Sequence, residues 1–276
     1  MTAAAGAAKL PAMAEQPSIY AQTPPGALPA LFAAAWFLDY IGIGLMMELT
    51  YHEFGHAVAA WLSGRYAIPI PIAALTFIGS SRSPIVTLLV AGALAWVWLR
   101  SLESRRYGPL LLSTAALLVV VAFAFLVPDQ DVQMWCIYAG IGGELVLPAV
   151  VITSFYWEMP EELRWGFFRY PVVLSAACGW LWSFNLWSGL SLGLTGWSMR
   201  PEDAAIAHSP RAFVEFLANT PGDNDQDCYR LVHTFGWTAQ HLTDHYQALA
   251  LGTFLVIAAV YSGRLFFATP APEKVE

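Results

Sequence analysis

Three stretches of this chain, Ile85 to Leu99, Pro109 to Val127 and Val132 to Tyr156, together hold a single carboxylate or cation, Glu144. Runs of that length at about 1.5 Å per residue match the hydrocarbon thickness of a bilayer. Inside lipid every backbone N–H and C=O must be satisfied within the protein, which leaves helices or a closed barrel. The runs show no period-two alternation, so helices are expected. Charged residues make up 12% of the chain, against roughly 25% in globular proteins. An ordinary soluble domain is excluded, and the lipid bilayer is the expected partner. A nucleic-acid partner is excluded too, because the net charge is −7 and no basic patch occurs.

The expected fold class is an all-α polytopic membrane protein of about six transmembrane helices. Residues 1–30, rich in Ala and Pro, read as a disordered N-terminal tail without the apolar core of a signal peptide. A transmembrane core over 31–194 follows, beginning with a long apolar stretch from Leu31 to Leu62 that invites a kink near Gly42 and Gly44. After Gly64 the chain stays apolar, but Pro69 and Pro71 forbid a helix there. Ile68, Ile70 and Ile72 alternate as in a strand, so Ala67 to Phe77 is expected to be extended or re-entrant. Further spans are expected at Ile85 to Leu99, Pro109 to Val127, Val132 to Tyr156, Pro171 to Leu194 and Gln247 to Tyr261.

Residues 195–245 form a polar extramembrane helical segment, and 246–276 hold the final span and a tail. Within the polar segment, Ser209-Pro210 has the pattern of an N-cap followed by a first helical residue. That helix should stop at Asn219 to Gly222, with a second short helix starting near Asp227. The acidic run from Asp223 to Asp227 fails as a calcium loop, since Cys228 stands where glycine is needed and Thr234 where glutamate is needed. Arg100, Arg105, Arg106, Arg164, Arg169, Lys9, Arg264 and Lys274 fall on one side of the stack. Arg65, Arg82, Arg200, Arg211 and Arg230 fall on the other, beside the acidic Pro128 to Asp131 turn. That bias places both termini in the cytoplasm. Trp157, Trp165, Trp180, Trp182 and Trp187 read as interfacial anchors. Cys136, Cys178 and Cys228 are too dispersed for a disulfide framework or a thiolate metal site.

His52-Glu53-Phe54-Gly55-His56 is an HExxH motif inside an apolar helical stretch. Residues four apart on a helix share a face with Cβ atoms about 6 Å apart, so two imidazoles reach one ion with the glutamate beside it. Zinc suits that set: it polarises a carbonyl and activates water, while Glu53 serves as general base. Ionisable groups this close together in a lipid-embedded helix need compensation, which a dication supplies. Glu48, one turn earlier on the same face, either pairs with an interfacial arginine or hydrogen-bonds a ligand histidine.

At this motif the chain resembles the site-2 protease family of intramembrane zinc metalloproteases, whose signature is HExGH in a transmembrane helix followed by a non-helical apolar segment. Gly55 stands at the family glycine, and the resemblance covers about residues 48–80. It implies His52 and His56 as zinc ligands, Glu53 as catalytic base, and hydrolysis of a peptide bond in a membrane-anchored protein substrate. The family's third ligand, an aspartate in an LDG-type motif, has no counterpart here.

A catalytic zinc needs a third protein ligand with one position open. Glu144, in the small-residue stretch Ala139 to Gly143, is the candidate, because small residues let helices approach closely. His241 and His245, four apart before the last span, form the rival set, and His208 and His233 read as surface residues. Two other functions share this chemistry: a zinc hydrolase of a lipid amide or ester, and a metal-binding membrane protein or transporter without hydrolysis. A glutamate directly beside the first histidine favours catalysis, since passive binding does not require it.

Overall fold

Residues 23–157, 166–190, 209–219 and 227–267 are described by the computed structural model. Residues 1–22, Arg164, Trp165, His208, the Asp223 to Gln226 run and residues 268–276 lie outside them. The described chain is mostly helical: α1 (Ala27–Tyr40), α2 (Ile43–Leu62), β1 (Arg65–Ile70), β2 (Leu75–Arg82), α3 (Pro84–Glu103), α4 (Tyr107–Phe125), α5 (Asp129–Ser154), α6 (Arg169–Trp187), α7 (Pro210–Asn219), α8 (Asp227–His233) and α9 (Ala239–Phe267). Helix begins at Ala27, earlier than the tail boundary expected at residue 30.

The apolar stretch from Leu31 to Leu62 divides into α1 and α2, bent by 103°. The break falls at Gly42, whose φ of 89° is left-handed and strains any residue with a Cβ. Helices α3, α4, α5 and α9 are each long and apolar enough to cross a membrane, and the bent pair makes a fifth if it counts as one span. Helix α6 stands for the expected span at Pro171 to Leu194 but is not in that set. Trp180, Trp182, Ser183 and Asn185 lower its hydropathy, and all four are buried in the protein. A helix enclosed by other helices needs no apolar stripe toward lipid. The same burial corrects the reading of Trp180, Trp182 and Trp187 as interfacial anchors. Trp180 stacks on Phe184 at 4.5 Å, and Trp187 packs on Tyr246 at 4.7 Å, so these rings fill the core.

The segment after Gly64 is a two-stranded antiparallel hairpin, β1 on β2, with Ile68 opposite Phe77 and Pro69 opposite Thr76. A short 3₁₀ turn at Pro71–Ala73 and left-handed Ala74 close it. Tyr66, Ile68, Ile70, Leu75 and Phe77 are exposed on the outer face. At the base, Arg65 and Arg82 are paired in register and both reach Asp129, which ties the hairpin to the start of α5. Ser83 caps α3 through the Val86 N–H, with Pro84 as first helical residue. The expected helices in the polar segment are α7 and α8.

Helix α5 is the axis of the bundle: 67% of its apolar window is buried, against 6% for α3 and 17% for α4, which form a peripheral pair. Its closest partner is α2, and the contact is backbone on backbone. A Cβ on Gly55 would stand 2.0 Å from the Ala139 carbonyl oxygen, and one on Gly143 would stand 2.4 Å from the Gly55 Cα. At Gly142, on the same helix, a Cβ meets nothing closer than 3.6 Å. Gly55→Ala and Gly143→Ala should each destabilise the protein by at least about 1–3 kcal/mol, as overpacking does. Gly142→Ala should be neutral or slightly stabilising, since alanine is the better helix former. Thermal unfolding of the detergent-solubilised variants reads the difference.

Candidate metal centre

The close approach of α2 and α5 decides where the two motif histidines point. The Nδ1 of His56 lies 2.7 Å from the Cys136 carbonyl oxygen on α5. A carbonyl only accepts, so Nδ1 carries the hydrogen and the Nε2 of the neutral ring presents a lone pair. The Nδ1 of His52 lies 2.6 Å from Glu144 Oε1. A carboxylate there again takes the ring hydrogen, and His52 Nε2 is left as a second lone pair.

Those two Nε2 atoms face each other at 3.2 Å. Asp227 Oδ2, at the start of α8, lies 3.2 Å from each of them. Three acceptor atoms thus stand at the corners of a nearly equilateral triangle, and Asp227 Oδ2 is a buried oxygen with no hydrogen-bond donor. Donors in a tetrahedral site with bonds of about 2.0 Å stand about 3.3 Å apart. The triangle therefore has the size, and His–His–Asp the chemistry, of a site that could hold a metal ion.

The structure moves one expected residue and adds another. Glu144 does reach the HExxH helix, as the small residues around it suggested, but it bonds the Nδ1 of His52, on the opposite side of the ring from the Nε2 cluster. Its second oxygen accepts from the Ser183 hydroxyl on α6 at 3.0 Å. The third donor at the cluster is Asp227, which in the sequence stands only as the start of an expected short helix and within a rejected calcium loop. Its one local signal is an acid opening a short helix whose next residue, Cys228, is buried. Nothing in a separation of well over a hundred residues marks it as a neighbour of His52.

Glu53 is buried, and its Oε2 lies 2.6 Å from the hydroxyl of Thr76 on β2. The same hydroxyl lies 3.0 Å from the Glu53 carbonyl oxygen, so it donates to one of the two at a time. His241 and His245 sit apart from the triangle, packed with Trp237 in an aromatic cluster at the start of α9. His233 is engaged with the Ala218 carbonyl.

The centre also explains Gly140. A Cβ there would lie 2.4 Å from Asp227 Oδ2 and 2.6 Å from His56 Nε2, crowding two of the three donors. Gly140→Ala should lower the affinity for a divalent metal ion by at least tenfold while Gly142→Ala leaves it unchanged, as chelator competition on the two purified variants would measure. Comparison of the chain with family models, with curated proteins and with solved structures gives no match.

Proposed function

We propose that this chain is an intramembrane zinc metallopeptidase that hydrolyses a peptide bond of a membrane-anchored protein. The observation that carries the reading is the triangle of His52 Nε2, His56 Nε2 and Asp227 Oδ2. Three lone-pair atoms at 3.2 Å repel one another unless a proton or a metal ion sits among them, and a metal ion satisfies all three at once. Zinc is the ion best matched to two imidazoles and one carboxylate with an open fourth position. Such an ion supplies Lewis-acid polarisation of a carbonyl and a water nucleophilic at neutral pH.

The residues of the chain supply the rest. Glu53 accepts the proton of the attacking water and returns it to the leaving amine. The Thr76 hydroxyl fixes the rotamer of Glu53 by donating to its carboxylate. Glu144 holds His52 in the tautomer that aims its lone pair at the cluster, and the Cys136 carbonyl does the same for His56.

Thr76 also favours a peptide over a lipid as substrate. It couples the base to β2, so a segment of substrate added to the hairpin as a strand runs close to Glu53. An extended substrate exposes the scissile carbonyl that a helix hides in its i to i−4 hydrogen bond. That both ends lie on the same side of the membrane has one structural support. The Tyr261 hydroxyl reaches the Pro25 carbonyl and Arg264 reaches that of Thr23, which brings the two described ends together at one end of the bundle. We place that end in the cytoplasm, from the bias in basic residues.

Purified protein should hold about one zinc per chain, and His52→Ala, His56→Ala and Asp227→Ala should each lose it. Glu144→Gln should weaken binding about 10–100-fold. Glu53→Gln should keep the ion and lower cleavage of a single-span model protein in proteoliposomes by about 10²–10⁴-fold. Release of fatty acid from the vesicle lipid instead would favour a lipid hydrolase. Zinc flux insensitive to Glu53→Gln would favour a transporter, and a metal-free wild type would remove the site.

A further inference from the structure

Resting on the metal reading above, we infer that Ser183 is a positioning residue for the metal centre, fixing the His52 ring by holding the carboxylate of Glu144. Serine and threonine inside helices commonly return their hydroxyl to the backbone of the preceding turn. Ser101, Ser113 and Thr153 do so, each donating to the carbonyl four residues back. Ser183, buried on α6, does otherwise. Its hydroxyl crosses to α5 and donates to Glu144 Oε2 at 3.0 Å. One turn earlier, Gly179 lets α6 lie close against α2, since a Cβ there would stand 2.9 Å from the Tyr51 ring and 3.3 Å from the Met47 carbonyl carbon. Residues four apart share a helix face, so the glycine that admits α2 and the serine that reaches Glu144 lie on the same side of α6.

Why the carboxylate needs this second bond follows from its torsions. The last torsion of a glutamate joins a tetrahedral to a planar carbon and has broad minima. Held only by the His52 Nδ1 at 2.6 Å, the Glu144 carboxylate would be free to turn about it and to carry the ring along. A donor at the other oxygen removes that freedom, because hydrogen bonds favour the plane of the group that accepts them. Donors from α2 and α6 thus fix the plane of a carboxylate rooted in α5. The His52 ring is held at its Nδ1 edge, and its opposite edge carries the Nε2 that stands 3.2 Å from His56 Nε2 and from Asp227 Oδ2. Any swing of the ring spoils both distances. Ser183 acts on the three metal-facing atoms only through Glu144, in the manner of the outer partners of metal-bound histidines.

The test uses full-length protein in detergent, with zinc alone and cobalt(II) alone as probes. Ser183→Ala should weaken zinc about tenfold and shift the cobalt visible spectrum. Ser113→Ala removes another buried helix hydroxyl, one bonded to its own backbone, and should change neither. Added to Glu144→Met, Ser183→Ala should cost no further affinity, because it acts through that side chain. Wild-type affinity in Ser183→Ala, an equal loss in Ser113→Ala, or additive losses in the double variant would each overturn the assignment. If Ser183→Ala does not fold, Ser183→Cys takes its place, with a weaker donor and the same direction of change expected. A Ser183→Cys protein that also fails to fold shows a role in folding instead and overturns the assignment too. One further readout needs no ion. In metal-free protein carrying isotopically labelled histidine, the Nδ1 proton of His52, assigned by its absence from His52→Ala, should shift its magnetic resonance in Ser183→Ala and keep it in Ser113→Ala. An unmoved resonance refutes the role of Ser183 whether or not the wild type binds zinc. A shifted resonance in a protein that binds no zinc defeats the metal reading alone.

Discussion

Two ring hydrogens govern this molecule's chemistry. With the His52 and His56 Nδ1 hydrogens directed to Glu144 and to the Cys136 carbonyl, both Nε2 lone pairs converge on Asp227 Oδ2 at 3.2 Å. In a medium of low polarity such a gathering of acceptors is costly, and the proposed metal ion would turn that cost into binding energy. The tautomers are imposed by α5 and not by the motif helix. A helix carrying HExxH alone leaves both rings free to rotate and to exchange hydrogens between their nitrogens.

That control depends on how closely α2 and α5 approach. Glycine inside a helix costs about 1 kcal/mol relative to alanine, and α5 places three of them within four positions, Gly140, Gly142 and Gly143. Two of the three have a geometric reason. Gly143 faces the backbone of Gly55, and Gly140 faces His56 and Asp227, so the same bare stretch of α5 admits both the helix and the donors. Small residues here do more than pack. They bring a main-chain carbonyl of α5 within hydrogen-bonding distance of a side chain on α2, and they leave the space in which the proposed ion is held.

The hairpin contributes in a different way. Pro69 and Pro71 exclude helix immediately after the motif, and the chain turns back as β1 and β2 instead. Arg65 and Arg82, held by Asp129 at its base, fix where the strands begin. Thr76 then meets Glu53, so the position of the proposed base is tied to a strand whose outer face is apolar and exposed.

Local rules were enough for much of this. Apolar runs with little charge announced the helices, Gly42 and Gly44 a break in the first apolar stretch, the two prolines a non-helical extended segment, Ser209-Pro210 the start of α7, and the four-residue spacing of His52 and His56 a shared ligand face. Each rests on interactions between residues near in sequence, where composition and periodicity carry the information. The roles of Glu144, Asp227 and Trp180 rest on distance in space. Glu144 bonds the far nitrogen of His52 because α5 meets α2 on that side, and Trp180 is core because α6 is enclosed. Asp227 faces the histidines because α8 packs against α5 beside Gly140. The chain by itself determined which residue types could bind an ion and which segments would be helical. Which carboxylate faces the lone pairs and which steadies a ring was decided by helix packing, since a carboxylate reads the same in sequence whichever nitrogen it meets.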